Sequence, residues 1–311
     1  MKFVTYFADG EKVGVLVGDR VVPLNGNIDS KFDSMLELIE NTTAGLLDKI
    51  ESMIVDDPTS LSIHSVKLLA PIPYPRRNVI CLGKNYAEHA REIKMTKISD
   101  TGIPDDPIYF TKMASPAIAH GDEIRFSREN TGQVDYEVEL AVVIAREGLN
   151  IKPEEAEEYI WGYTIVNDVS ARDLQGKHKQ WYKGKSLDTF CPMGPAIVHK
   201  RAIPFPVELN IQCSINGELR QNSNTSNMIF GLPYIISDLS QGMTLKPGDI
   251  ICTGTPSGVG MGFEPPRLLK DGDIVECYIE GIGRLVNKVS IIDGASGCQG
   301  AGLLTSHDRK C

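Results

Sequence analysis

The stretch GQVDYEVELAVVIA, residues 132–145, alternates Val134, Tyr136, Val138, Leu140, Val142 and Ile144 with a second set that begins Asp135, Glu137, Glu139. Period two marks a β-strand, in which residues two apart share a face. The three carboxylates therefore point to one side. A solvated outer face accounts for acids on most half-buried strands. Here, however, the acid set runs on into Ala141, Val143 and Ala145, so that face enters the interior too. Like charges taken out of water must share a cation or a proton.

A second apolar run, IWGYTIVNDVSARDLQ (160–175), ends at Asp168 and turns into a helix, with Ser170 and Asp173 in capping-box spacing. Taken alone, Asp168 reads equally well as a turn-forming acid, and Glu-x-Glu by itself is a weak signal. If the two strands are neighbours, Glu137, Glu139 and Asp168 converge as three oxygen donors. Such a set suits a hard cation, Mg²⁺, Mn²⁺ or Ca²⁺, better than zinc.

Around this nucleus lie further candidates, each with a plainer alternative. Arg172 and Gln175 share a helix face just past Asp168 and are placed to grip a carboxylate, or are surface residues. Lys185, in WYKGKSLDTF, either enters the core to stabilise a developing enolate or is one of several solvated lysines. His89 and Glu92 in NYAEHAREI have the i, i+3 spacing of a base and its orienting acid, a spacing shared by many surface pairs. The segment TGTPSGVGMG (253–262) matches neither nucleotide-binding glycine pattern, yet its amides and Thr255 hydroxyl can meet a carboxylate. No Ser or Cys stands in a G-x-S-x-G setting.

The remainder reads as mainly β with few helices, an α+β class. Residues 1–70 open as an alternating β-meander followed by SMLELIENTTAGLLDKIESM at helical spacing, and APIPYPRR reads as a stiff linker to a main domain over 71–293. An Asn-Gly turn in NIQCSINGELRQ predicts a hairpin, and LPYIISDLSQG a helix ending at Gly242. MTKISDTGIPDDP (95–107) is a candidate lid, and residues 294–311 lack periodicity and are expected to be disordered.

With a formal net charge of −9 over 311 residues, nucleic acid is an unexpected partner, whereas a small anion held by a local cation is not. No apolar run approaches the ~20 residues of a membrane span, and the N-terminus lacks a signal-peptide block. Seven cysteines without a CxxC pair read as reduced thiols, and the expected location is the cytoplasm.

The stretches CLGKNYAEHAREI, VDYEVELAVVI, GYTIVNDVSARDLQ, KGKSLDTFCPMGP, NGELRQ, MIFGLPYIIS and GDIICTGTPSGVG, in this order from about Asn78 to Val289, resemble the fumarylacetoacetate hydrolase family. The resemblance implies a mixed β-sandwich roll with a small N-terminal β domain, usually dimeric, and a divalent metal held by Glu137, Glu139 and Asp168. It also implies Lys185, Arg172, Gln175 and Thr255 around a bound 2-oxo acid, with His89 and Glu92 on a closing segment. Asn85 stands where fumarylacetoacetate hydrolase proper has an additional acid, which points toward acylpyruvase, oxaloacetate and homocatechuate-pathway relatives. The expected activity is Mg²⁺- or Mn²⁺-dependent cleavage of a C–C bond in an acylpyruvate-type 2,4-dioxo acid through a metal-stabilised enolate. Oxaloacetate decarboxylation, keto–enol tautomerisation and isomerisation of a hydroxyheptadienedioate are the alternatives, as is a non-catalytic binding protein on the same fold. A glycosidase fits poorly, because its two carboxylates flank the sugar from opposite sides.

Overall fold

The computed structural model describes residues 1–28, 31–55, 59–94 and 102–292. The proposed disordered tail lies outside them, as does the 95–101 part of the candidate lid.

In chain order the strands are β1 (Lys2–Phe7), β2 (Glu11–Val17), β3 (Arg20–Pro23), β4 (Leu61–Ser62), β5 (Lys67–Leu68), β6 (Val79–Gly83), β7 (Ile108–Lys112), β8 (Glu123–Phe126) and β9 (Val134–Asp135). They continue with β10 (Val138–Ile144), β11 (Ile160–Asn167), β12 (Ser170–Ala171), β13 (Met193–His199), β14 (Asn210–Ile215), β15 (Glu218–Asn224), β16 (Ile250–Cys252), β17 (Ile274–Ile279) and β18 (Gly283–Ile291). The helices are short: α1 (Met35–Asn41), α2 (Ala44–Met53), α3 (Ala87–Lys94), α4 (Arg172–Lys177), α5 (Tyr182–Lys185) and α6 (Leu232–Ser240). The protein is mainly β.

One large mixed sheet runs β4-β3-β2-β1-β13-β11-β10-β16-β6-β7, with β5 added beside β1; a second, of five strands, runs β15-β14-β17-β18-β8. β10 lies near the middle of the large sheet, antiparallel to β11 and β16. Every one of its residues is buried. Leu140, Val142 and Ile144 pack toward the core shared with β14, β17 and α6, whereas Ala141 and Val143 face the core covered by α1 and α2. Both faces are therefore interior, and the run of Ala and Val on the acid-bearing side has its reason: small side chains fit beneath the helix layer.

Two local readings change in the structure. The strand breaks at Tyr136–Glu137, so Asp135 belongs to β9, paired with β12, and not to the β10 ladder. The long helical segment near residue 40 is two helices, because Ser34 caps α1 and Thr43 caps α2 through their hydroxyls. Elsewhere the turn chemistry acts as read. Asn216 and Gly217 both take positive φ, 52° and 82°, in the two-residue β14–β15 turn. The related segments LKPGD and LKDGD close alike, the Lys246 and Lys270 amides each donating 2.7 Å to the carboxylate of Asp249 and Asp273.

β1 hydrogen-bonds to β13, so the N-terminal meander extends the large sheet. The proline-rich segment after it is fastened as well: Ala70, Pro71 and Ile72 are buried, and Pro71 O accepts from Thr5 Oγ1 at 2.7 Å. No helix among the described residues is long and apolar enough to cross a membrane. The five cysteines among them, Cys81, Cys191, Cys213, Cys252 and Cys277, are free and buried.

At the β13 end, His199 is buried edge-on against Phe3 and Trp161. Burial, with positive charge nearby, pushes its pKa down to about 4 from an ordinary 6.5. The unfolded chain accepts a proton below pH 6.5 that the folded one resists. This contribution to stability is therefore complete above pH 6.5 and is lost as pH falls toward 4. In urea denaturation, the stability gap between wild type and H199Q should narrow by roughly 2–3 kcal/mol from pH 7 to pH 4. A gap equal at both values would contradict the assignment.

Candidate active site

The β10–β11 register sets Val138 opposite Asn167, and the Asp168 amide donates 2.8 Å to Glu137 O. The turn after β11 thus lies directly beside the start of β10. One carboxylate oxygen each from Glu137, Glu139 and Asp168 falls within 4.8 Å of the others, and all three residues are buried. Asp135 does not join them. It accepts from the Gly260 amide (2.7 Å), the Met261 amide (3.0 Å) and Arg172 Nε (2.9 Å).

Lys185, Arg172 and Lys112, all buried, form ion pairs with the acids. Lys185 Nζ bridges Glu137 Oε2 at 2.7 Å and Asp168 Oδ2 at 2.6 Å. It arrives there because α5 packs tightly on α4: a Cβ on Gly184 would lie 2.7 Å from Gln175 N. Arg172 reaches Glu137 Oε1 (2.7 Å) and Asp135, and gives Nη1 to Gln175 Oε1 at 3.1 Å. Lys112 stands 2.9 Å from Asp168 Oδ1. Its three N–H bonds are directed at the carbonyls of Val169, Lys185 and Phe190, so that contact is an ion pair without a hydrogen bond.

These neighbours divide the acids. Burial alone would raise the Glu137 pKa, but Lys185, then Arg172 and His89, outweigh it and hold the carboxyl below its ordinary range. Glu139 goes the other way. Burial, then the charges of Asp168 and Glu137, push it well up, and it accepts a hydrogen bond from the Gly254 amide at 2.8 Å. Asp168 Oδ1 is buried and accepts no hydrogen bond. An acid pushed toward its protonated form by its acidic neighbours and an acceptor with no donor among the described residues, both in one all-oxygen cluster, fit a hard divalent cation.

Of the sequence candidates, His89, Glu137, Glu139, Arg172, Gln175, Lys185 and Thr255 line one cavity. Glu92 and Asp168 stand just behind its wall, against His89 and Lys185 respectively. His89 Nδ1 lies 3.2 Å from Glu92 Oε2, and the Glu92 carboxylate is held by the Gly258 amide at 3.0 Å. Thr255 Oγ1 accepts from Gln221 Nε2 at 2.7 Å. The glycine-rich loop thus aims its amides at the protein's own acids: Gly254 at Glu139, Gly258 at Glu92, Gly260 at Asp135. The capping box does not form. Asp173 instead receives Thr131 Oγ1 and the Gly132 amide, and Ser170 Oγ donates to Asp168 O.

Sequence reasoning missed Lys112, Lys84, Phe110, Trp181 and Met261. Lys112 sits at the end of a five-residue strand, where lysine ordinarily reads as solvated; only its burial reveals it. Asn85 is a fastening rather than a wall residue: its side-chain amide pairs with Thr253 O, Phe230 O and Phe230 N.

Residues 78–290 match the model of the fumarylacetoacetate (FAA) hydrolase C-terminal domain. The chain is 52% identical over 228 residues to oxaloacetate tautomerase YisK of Bacillus subtilis, covering 73% of this chain and 74% of that one. It is 42% identical over 274 residues to the mitochondrial oxaloacetate tautomerase fahd2 of Xenopus laevis, covering 88% and 83%. Among solved structures, a fumarylacetoacetate hydrolase from psychrophilic Exiguobacterium antarcticum superposes with TM-score 0.80 at 40% identity, over 94% of this chain and all of the other. A maleylpyruvate hydrolase from Sphingobium sp. SYK-6, in complex with manganese(II) and pyruvate, superposes with TM-score 0.73 at 28% identity and the same coverage. With the motif order, the two-sheet fold and the acid cluster in agreement, the chain belongs to the fumarylacetoacetate hydrolase family.

Proposed function

We propose that the protein catalyses keto–enol tautomerisation of a small 2-oxo acid of the oxaloacetate type, with Mg²⁺ or Mn²⁺ at Glu137, Glu139 and Asp168. The observation that carries this reading is the buried acid triad bridged by Lys185 on the wall of a cavity that also holds His89. The names of the two relatives above support the substrate class. The pyruvate and manganese in the hydrolase structure support the chelating end and the metal.

A divalent cation held by the triad would supply Lewis-acid polarisation of the 2-oxo group. The chain's own residues do the rest. Lys185, fixed between two acids, places positive charge where the enolate oxygen develops, and its rigidity means little reorganisation is needed. With Nδ1–H directed at Glu92, His89 keeps its other ring nitrogen as the base that carries the proton between C3 and the 2-oxo oxygen. It takes the proton from C3 and delivers it to the oxygen as the enol forms, and does the reverse as the keto form returns. Gln175 gives its carbonyl oxygen to Arg172, leaving the amide N–H₂ to donate to a substrate carboxylate. Thr255, already an acceptor from Gln221, has its own O–H left to donate.

A second reading, hydrolysis of a C–C bond in an acylpyruvate, is favoured by the same His89–Glu92 pair, which is equally suited to activating water. The two differ in whether water attacks a distal carbonyl or is absent while a proton moves. The homodimer is also proposed, on family likeness alone, and light scattering should return a dimer mass. A cytoplasmic setting is proposed from the reduced, buried thiols.

With Mn²⁺ present, the protein should accelerate conversion of enol-oxaloacetate to the keto form, followed by the loss of enol absorbance. NMR should show acetylpyruvate left intact; release of acetate and pyruvate would instead favour the hydrolase, and inertness toward both acids would sink each reading. H89N should lower kcat by about 10²–10⁴-fold with little change in KM, the usual scale for losing a general base. E139Q should fold but fail to bind Mn²⁺ by calorimetry, since an amide cannot replace the anionic donor; unchanged binding would remove Glu139 from the metal site.

A further inference from the structure

The segment NGELRQ (216–221) ends on Gln221, where β15 inverts the usual burial: Leu219 is 51% exposed, whereas Gln221 is fully buried. Residues two apart on a regular strand would share a face. Here Ser214 pairs with Leu219 but Cys213 with Gln221, which leaves Arg220 as an extra, bulged residue. The bulge turns Leu219 out and Gln221 in, the kind of re-aiming that bulges provide beside active sites. The glycine-rich loop packs directly on it: at Gly258, φ +100°, a Cβ would collide with Arg220 O.

This close approach lets Gln221 use its whole side-chain amide between the two sheets. Oε1 accepts from the Val138 amide at 3.1 Å, between Glu137 and Glu139. Nε2 donates to Thr255 Oγ1 at 2.7 Å and to Pro256 O at 2.8 Å. The partners fix which way round the amide lies. The Val138 N–H can only donate and the Pro256 carbonyl can only accept, so oxygen must face the first and nitrogen the second. Thr255 Oγ1 is thereby held as an acceptor, with its O–H directed away from Gln221. Thr255 is 2% exposed and lines the cavity together with Arg172 and Gln175. A hydroxyl free to rotate can offer a ligand either its proton or its lone pairs; this one offers its proton, which suits an anion.

We propose that Gln221 is a positioning residue that fixes the Thr255 hydroxyl as a donor to the carboxylate of the bound acid. This rests on the 2-oxo-acid reading above and assigns part of its carboxylate recognition. The test is calorimetry with Mn²⁺ alone, then with oxalate on the Mn²⁺-loaded protein. In Q221E an oxygen replaces Nε2, so the Thr255 O–H turns to it. Oxalate affinity should fall by roughly 10- to 100-fold, the scale of a hydrogen bond to a charged group, with Mn²⁺ bound no more weakly. T255V should show a similar fall, and Q221E in the T255V background no further one, because Gln221 then has no hydroxyl to orient. Thermal midpoints are measured alongside; if Q221E does not fold, Q221M takes its place in the same cycle, and T255V is judged in either case. Undiminished oxalate affinity in the Gln221 variant or in T255V overturns the assignment. So do losses that add in the double variant, and so does weakened Mn²⁺ binding in the Gln221 variant, which would make Gln221 a structural tie to β10. A wild type that binds Mn²⁺ but no oxalate refutes the 2-oxo-acid reading itself and the assignment with it.

Discussion

Three carboxylates sharing a space with no bulk water constrain the rest of this molecule. Glu137, Glu139 and Asp168 sit at the junction of two central strands, where removing charge from water is costly unless opposite charge replaces it. The fold answers with Lys185 between two of them, Arg172 against one and Lys112 against another. Each of these cations is buried, so each needs its own hydrogen-bond partners. That requirement recruits Asp135, Gln175 and the carbonyls of Val169, Lys185 and Phe190. What looks like a site is the visible part of a larger polar network, and a network of this kind is stable only when nearly every member is satisfied. Asp168 Oδ1 accepts no hydrogen bond among the described residues, and it lies in the same oxygen cluster as Glu139.

The glycine-rich loop shows how such a network is closed with little side-chain chemistry. Its backbone amides at 254, 258 and 260 each serve a different acid. One loop thereby couples the triad, the helix bearing His89 and the anchor of Arg172. Displacement of that loop would disturb metal ligation, the proposed base and the proposed carboxylate clamp together. The resemblance to a phosphate loop is thus misleading for a physical reason: the anions its amides meet belong to the protein.

The family admits hydrolases, isomerases and tautomerases, and the arrangement here indicates why one frame serves all. Charge development on a chelated 2-oxo acid is common to these reactions, and under the proposed function the triad with Lys185 would address that part. Under the proposed function, what would distinguish them is how His89 and Glu92 manage either a proton or a water.

The sequence by itself determined the β class, the burial of both faces of the 134–144 segment and the Asn216-Gly217 turn, and it offered Glu137, Glu139 and Asp168 as oxygen donors that converge if their strands are neighbours, a condition met by the β10–β11 pairing. Period-two alternation and turn chemistry are local properties, and an acid set that continues into Ala and Val has few interior explanations. Family resemblance extended this to His89, Glu92, Arg172, Gln175, Lys185 and Thr255. Only the tertiary structure decided that Asp135 leaves the strand face it was expected to share with Glu137 and Glu139, since a two-residue break in the strand carries no periodic signal. Only it revealed that Lys112 and Lys84 are interior, because a lysine's burial depends on what packs over it and not on its neighbours in sequence. The capping box failed for the same reason: Thr131 and the Gly132 amide, distant in the chain, engage Asp173, and Ser170 Oγ turns to Asp168 O.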